Sequence, residues 1–540
     1  MADGDYDYII VGGGSAGCVM AYRLSADPDT RVLLLEAGGE NKSALIDMPM
    51  GIGRTLTNPD LCWYYATEPD PRNDDKGYVW IRGKVLGGSS SVNGMLYFHG
   101  QPEDYDHWVS DHGCTGWGWD EIGRCFREME DHQLGAGQWR GVGGPLHVSV
   151  DRPRSPLTEA VIAAGQGLGL PRKQDLNEPE QEGIGYSPAT MRKGRRVSAA
   201  NAFLEPARRR PNLDVVTHAP VERLLVEDGV VTGVAVIGGR RYQARREVVL
   251  CAGALQSPVI LQQSGIGDAG LLGSLGIPVV ADRPEVGRNL REHKSISMNV
   301  ALTRDYSHNL KLRGPALAWS ALRYGLGMGG PLSSTYEVTA FLKSDPALAQ
   351  PDAELMMWAV TTDPSAQGIE PERHPAMLMM GYPLRTQSAG TLEIRSTDPL
   401  EPPRITANFM ATEHDRRVTI ALFRFMREML RRPELAPLVK EETVPGPSIQ
   451  TDAEIIDYCL RIPTCLHAIG TCRMGGDADS VVDPQMRVRG VSGLRVVDCS
   501  IMPTQVSGNT NGPVMATAWR AADIMLREKN QPVATMETIA

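Results

Sequence analysis

Residue types able to do chemistry gather toward the two ends of the chain. In the C-terminal part, Leu466-His467-Ala468-Ile469-Gly470-Thr471-Cys472-Arg473-Met474-Gly475 sets a histidine into a glycine-containing loop. An imidazole is the side chain whose ordinary pKa lets it take up a proton at neutral pH, which makes His467 a candidate general base. A lone histidine is as readily structural, and spacing alone leaves both readings open. Further on, Ser507-Gly508-Asn509-Thr510-Asn511-Gly512-Pro513 runs into an apolar helical pattern, where polar residues also serve as an N-cap.

Near the N-terminus, Gly12-Gly13-Gly14-Ser15-Ala16-Gly17 places glycines at the first, third and sixth positions of G-x-G-x-x-G, and Glu36 follows Gly17 by 19 residues. Gly12 permits a tight turn, Gly14 lets backbone approach a pyrophosphate, and Gly17 lets helix and strand pack closely. A helix N-terminus offers free N–H groups and partial positive charge to phosphates. A carboxylate at this distance can accept both hydroxyl hydrogens of an adenosine ribose. Glu36 would repel the extra phosphate of NADP; it does not separate NAD from FAD.

The elements that must hold these groups follow from the pattern. Residues 8–11 and 31–35 are short apolar runs, each one buried strand, with a helix from 18 to 24 between them. Residues 38–75 read as loops, and Ile81-Arg82-Gly83-Lys84-Val85-Leu86-Gly87-Gly88-Ser89-Ser90-Ser91-Val92-Asn93-Gly94-Met95 as backbone passing close to something flat or charged. Helices are expected at 108–131, 156–169, 315–324, 414–430 and 514–527. Strands are expected at 144–150, 213–217, 247–251, 336–341, 353–361, 391–394 and 494–498, with a hairpin over 221–236 turning at Glu227-Asp228-Gly229. A second glycine turn, Gly253-Ala254-Leu255-Gln256-Ser257-Pro258, returns the chain to the nucleotide-binding layer. Between about 295 and 462 the pattern changes to an α+β unit with a mostly antiparallel sheet. Met356, Met357, Met377, Met379 and Met380 fall there, and core filling is preferred to a methionine-lined pocket.

At 540 residues the chain exceeds one hydrophobic core, so two domains are expected. With 42% apolar and 22% charged residues it has the composition of a soluble globular protein, and a formal charge of −10 gives no support to nucleic-acid or anionic-membrane binding. No membrane span and no room for a signal peptide are read from the sequence. Nine cysteines without C-x-x-C pairs suggest reduced thiols and a cytoplasmic setting; eleven histidines show no metal-ligand spacing.

Taken together the motifs resemble the glucose–methanol–choline (GMC) oxidoreductases, nearly end to end. The resemblance rests on Gly12 to Gly17 with Glu36 and on the run from Gly83 to Gly94. It extends to Gly253 to Pro258 with Ser264-Gly265-Ile266-Gly267, and to Val286-Gly287-Arg288-Asn289-Leu290-Arg291-Glu292-His293. His467 with Gly470 to Gly475, and Asn509-Thr510-Asn511, complete it. It implies an α/β fold with a Rossmann-like FAD-binding domain over residues 1–150, 200–294 and 463–540. An α+β substrate domain takes residues 151–199 and 295–462. It implies FAD, with Val85 beside the cofactor, Asn93, Gly94, Met95 and Leu96 against the flavin ring, Val221 by the adenine, and Asp498 and Cys499 near the ribityl and pyrophosphate end. Gly12, Gly14, Ser15, Ala16, Gly17, Glu36, Ala37, Gly88, Ser89, Asn509, Thr510 and Asn511 complete the implied cofactor set. Members that attach FAD covalently carry histidine where Val92 stands, so non-covalent binding is expected. The catalytic pair falls on His467 and Asn509, 42 residues apart, with Asn511 the rival for the second role. The implied reaction is oxidation of a neutral primary alcohol, with oxygen, a quinone or a cytochrome as electron acceptor. A hydroxynitrile lyase of the same fold and a flavoprotein without turnover are the alternatives. A choline-like cation would draw on Glu337 and Trp358. The family's Ser-Arg-Gly appears here as Ser388-Ala389-Gly390, which weakens any transfer of substrate identity.

Overall fold

The computed structural model describes residues 6–150, 154–363 and 370–529. The two apolar runs around the glycine turn form neighbouring parallel strands, Tyr6–Val11 and Val32–Leu35, in register from Tyr8–Val32 to Val11–Leu35. Both are buried along their length, which is why they read as continuous apolar runs rather than alternating ones. Leu213–Val216 adds in parallel outside Val32–Leu35, and Arg241–Leu250 adds in parallel on the far side of Tyr6–Val11. The hairpin Val221–Glu227 and Val230–Val236 extends the sheet antiparallel, and Leu494–Val496 pairs in parallel with Val248 to Leu250. The last helix, Asn511–Lys529, packs against the first, Ser15–Leu24, so both helix N-termini point at one place beside the glycine turn.

A second sheet is antiparallel throughout, in the order Val439–Val444, Ile296–Leu302, Ala376–Pro383, Ala353–Trp358, Val338–Leu342, Gly183–Tyr186. The helices Pro156–Gly167 and Glu413–Arg431 cover one face. On the longer of these, Val418, Leu422, Phe423, Met426 and Met429 are buried at helical spacing against the sheet. The pleat sorts the methionines between the two faces: Met357, Met377 and Met379 join this core, whereas Met356 and Met380 point to the opposite face. Core filling therefore holds for four of the five, Met356 included, and Met356 and Met380 also line the cavity.

Several extents differ from the sequence expectations. Residues 108–131 form two helices, Pro102–His112 and Trp119–Met129, broken where Gly113 adopts a left-handed φ of 65°. Residues 38–75 include a strand, Cys62–Ala66, whose aromatic residues pair with Val79–Gly83 across a hairpin. Ile296–Leu302 and Ala376–Pro383 escape pattern reading because they carry apolar residues on both faces and show little alternation. Among the described residues no helix is long and apolar enough to cross a membrane.

Candidate active site

One cavity of about 580 Å³ runs from the glycine turn, between the sheets, to His467. Its inner end is a backbone cradle. Gly14 caps the first helix with φ −77°, and a Cβ there would meet nothing closer than 4.0 Å. Gly88, with φ +53°, lies so near that its own Cβ would stand 2.7 Å from Gly14 Cα. Gly253, at φ +85°, leaves open space on its Cβ side. Three loops are thus pared to glycine around a void at two helix N-termini, which fits a pyrophosphate. Gly17 acts elsewhere: its Cβ would fall 1.9 Å from Gly12 O, so it closes the turn against its strand.

Glu36 ends its strand with both oxygens engaged: Gly13 N–H donates to Oε2 (2.7 Å) and Gly38 N–H to Oε1 (2.8 Å). Burial pushes its carboxyl up to about 7 against these bonds, and each oxygen keeps a lone pair for a ribose hydroxyl. Asp498 accepts from Gly253 N–H (2.8 Å), Ser257 Oγ (2.6 Å) and Ser500 N–H (2.8 Å), so it ties the second glycine turn to the C-terminal segment. Ser15 Oγ donates to Asn511 Oδ1 (2.8 Å), joining the two helix N-termini.

Of the cofactor residues expected from sequence, Gly12, Gly14, Ser15, Ala16, Glu36, Ala37, Gly88, Ser89, Asn93, Gly94, Met95, Leu96, Val221, Asp498, Cys499, Asn509, Thr510 and Asn511 line this one cavity. Val85 is the correction. It is fully buried behind the wall, where its segment bridges Gly39, and its carbonyl accepts from Gly88 N–H, so it supports the cradle without lining it.

At the outer end His467 is fixed on every side. Its backbone N–H donates to Glu292 Oε1 (2.6 Å), and the preceding residue, Leu466, sits at φ +63°, a left-handed conformation strained for leucine. Arg82 holds that strain by donating to Leu466 O, and lies 3.7 Å from Glu292 Oε2. The hydrogen bonds also assign the imidazole tautomer. His293 Nε2 faces Leu384 O at 2.8 Å, a pure acceptor, so this nitrogen carries the proton and donates. Its Nδ1 is then an acceptor, 3.0 Å from His467 Nδ1, which must donate. His467 Nε2 is left with its lone pair, 3.1 Å from Asn509 Nδ2. Burial, the neighbouring His293 and Arg82 together hold His467 well below the usual imidazole pKa, so it is neutral and ready to accept a proton.

The geometry also separates the two asparagines. Asn509 meets His467, whereas Asn511 is committed to Ser15 at the helix N-termini. Asn509 Oδ1 is buried without a partner. Sequence reading assigned no role to Arg82, Glu292 or His293. The adjacent pair Glu292-His293 ahead of an apolar strand was the available signal, but its partner lies 174 residues away.

The wall around His467 is apolar: Leu96, Tyr336, Met356, Met380, Cys465 and Leu466. Glu337 and Trp358, named as a possible cation site, do not line it. Glu337 accepts from Ser334 Oγ and Ala359 N–H, and the Trp358 ring lies tilted against Tyr336, centroids 5.0 Å apart. Glu354, which accepts from the Tyr382 hydroxyl, is pushed up to about 8 by burial, which favours its uncharged form.

The family models for the GMC oxidoreductases match residues 6–295 and 386–518. Mitochondrial choline dehydrogenase of Mus musculus is 38% identical, over 99% of this chain and 92% of its own. Alcohol dehydrogenase (acceptor) of Pseudomonas putida is 37% identical, over 97% and 96%. Among solved structures, pyridoxine 4-oxidase from Mesorbium loti superposes with a TM-score of 0.88 at 34% identity, covering 97% of this chain and 99% of that one.

Proposed function

The chain belongs to the GMC oxidoreductases, FAD-dependent enzymes acting on CH–OH donors, and on that premise we propose that it oxidises a neutral primary alcohol to the aldehyde with His467 as base. The observation that carries this is the His293–His467–Asn509 chain, which leaves one unprotonated imidazole nitrogen beside an amide donor in an apolar cavity. An alcohol oxygen seated between Nε2 and Asn509 Nδ2 gives its proton to the first and accepts from the second. As the proton leaves, charge on oxygen weakens the C–H bond; the FAD, when bound, supplies the two-electron acceptor for that hydrogen. Asn509 orients the carbon, and Arg82 with Glu292 keeps His467 in place. The cofactor-binding part is taken as residues 1–150, 200–294 and 463–540, and the substrate-binding part as 151–199 and 295–462. Oxygen, a quinone or a cytochrome would serve as the second substrate.

Binding of FAD is proposed to be non-covalent, since Val92 offers the cavity no nucleophile where an attached flavin would need one. Acid precipitation of the yellow protein is expected to leave all colour in the supernatant; colour retained in the pellet would contradict this.

The substrate should be uncharged, although choline dehydrogenases are among the relatives. Among the described residues, the carboxyls around His467 offer a cation little free charge: Glu292 is opposed by Arg82, Glu337 accepts from Ala359 N–H and does not line the cavity, and burial raises Glu354 to about 8. A buried cation without a counter-charge loses on the order of 3–5 kcal/mol. Choline is therefore expected to reduce the flavin at least about 100-fold less effectively, by kcat/KM, than a neutral alcohol of similar size. Equal efficiency would overturn the assignment.

The pH profile follows from His467. A base whose folded pKa is depressed stays unprotonated as pH falls through its ordinary value. In Glu292→Gln, which removes the adjacent carboxyl that burial raises to about 7, the rate of flavin reduction should stay level as pH is lowered through about 6.5. An inflection there in that variant would show an ordinary, solvated imidazole.

A further inference from the structure

We propose that the segment Leu310 to Gly330 docks the enzyme on an anionic phospholipid surface. The helix Gly314–Gly325 lies on the outside of the molecule and, of its residues, buries only Ser320. Leu317, Trp319 (61% exposed), Leu322, Leu326 (67%) and Met328 (60%) are all open to solvent. Trp319, Leu322 and Leu326 fall on one side of the helix, with Met328 just beyond its end, an exposed apolar stripe of the kind that marks an interaction site. The segment is held from beneath by Leu312, Tyr324 and Leu332, which pack with Met48, Met50 and Trp358 and leave the opposite side uncovered.

Charge selects the occupant. From residue 306 to 336 the chain contains no acidic residue, only Lys311, Arg313 and Arg323. The hairpin Met191–Arg192 and Arg195–Arg196 stands alongside, with Arg195 over the Tyr324 ring at 5.8 Å and Lys193 exposed at its tip. The acids that face this group are Asp47, near Tyr324, and Glu370, 3.9 Å from Arg313. An apolar helix with tryptophan and leucine outward and basic residues at its flank suits the boundary between headgroups and acyl chains. The net charge of −10 would repel an anionic surface, so the attraction must come from this local patch. Placement matters for function: the turn Pro331–Ser333 packs on Pro49–Gly51, and the adjoining Ile52 and Leu56 line the cavity. An apolar alcohol or electron acceptor dissolved in the bilayer would then be presented beside the cavity wall.

The test is co-sedimentation of the holoenzyme with vesicles of phosphatidylcholine alone and of equimolar phosphatidylcholine and phosphatidylglycerol. Binding is expected to the mixed vesicles and to weaken by about tenfold or more in Leu322→Glu combined with Leu326→Glu, since both side chains would lose their buried methylenes. Lys193→Gln with Arg195→Gln should weaken binding to the mixed vesicles by about fivefold for each charge removed. Dye-linked alcohol oxidation in water should be unchanged in these variants, showing that they fold. No binding to either vesicle, or undiminished binding by the glutamate variant, would overturn the proposal. So would a wild-type dimer in light scattering that the same glutamates convert to monomer, because a second copy would then cover the patch.

Discussion

Gly14→Val is expected to give a folded protein that holds FAD roughly 5–150-fold more weakly, the range that 1–3 kcal/mol of overpacking produces. The backbone at Gly14 is extended, with φ −77° and ψ −163°, and does not itself require glycine. In the polypeptide alone a Cβ would reach nothing within 4.0 Å, so folding has no reason to fail. What the valine would occupy is the void between Gly14, Gly88 and the Cys251 carbonyl, where two helix N-termini point. Flavin titration of the apoprotein, with circular dichroism as the folding control, checks it. Gly17→Ala makes the contrast: its Cβ would stand 1.9 Å from Gly12 O, so that variant should lose the fold and the flavin together. A Gly14→Val enzyme that retained full flavin affinity would place the pyrophosphate elsewhere.

His467→Ala is expected to slow reduction of the bound flavin by alcohol about 10²–10⁴-fold, the usual worth of a positioned base. The substitution removes the unprotonated nitrogen that meets Asn509 while leaving Asn509 to hold the alcohol oxygen, so substrate affinity should change far less than rate. Anaerobic rapid mixing resolves the two. Loss confined to affinity would make His467 a binding residue and leave the base unidentified. Reduction by dithionite should be unaffected, since that reagent needs no proton taken from an alcohol.

Much of the cofactor end was legible because its chemistry is local. Strand, glycine turn, helix, strand and Glu36 lie within about thirty residues, and each constrains the next. The antiparallel sheet was only partly legible. Ile296–Leu302 and Ala376–Pro383 carry apolar residues on both faces, so their side chains show little alternation to read. The end of the cavity at His467 was legible in residue type but not in arrangement. His467 and Asn509 stood out only through family resemblance, whereas the tautomer depends on Leu384 O and His293, which the sequence places far from either. Arg82 shows the same limit. It sat inside a motif quoted for its glycines, yet its contact is with the strained carbonyl of Leu466, 384 residues on. Glu337 failed in the opposite direction: its type suited a cation site, but two neighbouring donors, Ser334 Oγ and Ala359 N–H, had already claimed its oxygens.

The central claim is that a neutral alcohol gives its proton to His467, with the FAD, when bound, as the two-electron acceptor. It is tested most directly by mixing the purified enzyme anaerobically with a series of neutral aliphatic and aromatic primary alcohols while following the flavin band. The expected result is bleaching by at least one of them, with one equivalent of aldehyde formed per flavin. An oxidised band that persists with every alcohol, in a protein whose flavin dithionite still reduces, would contradict it.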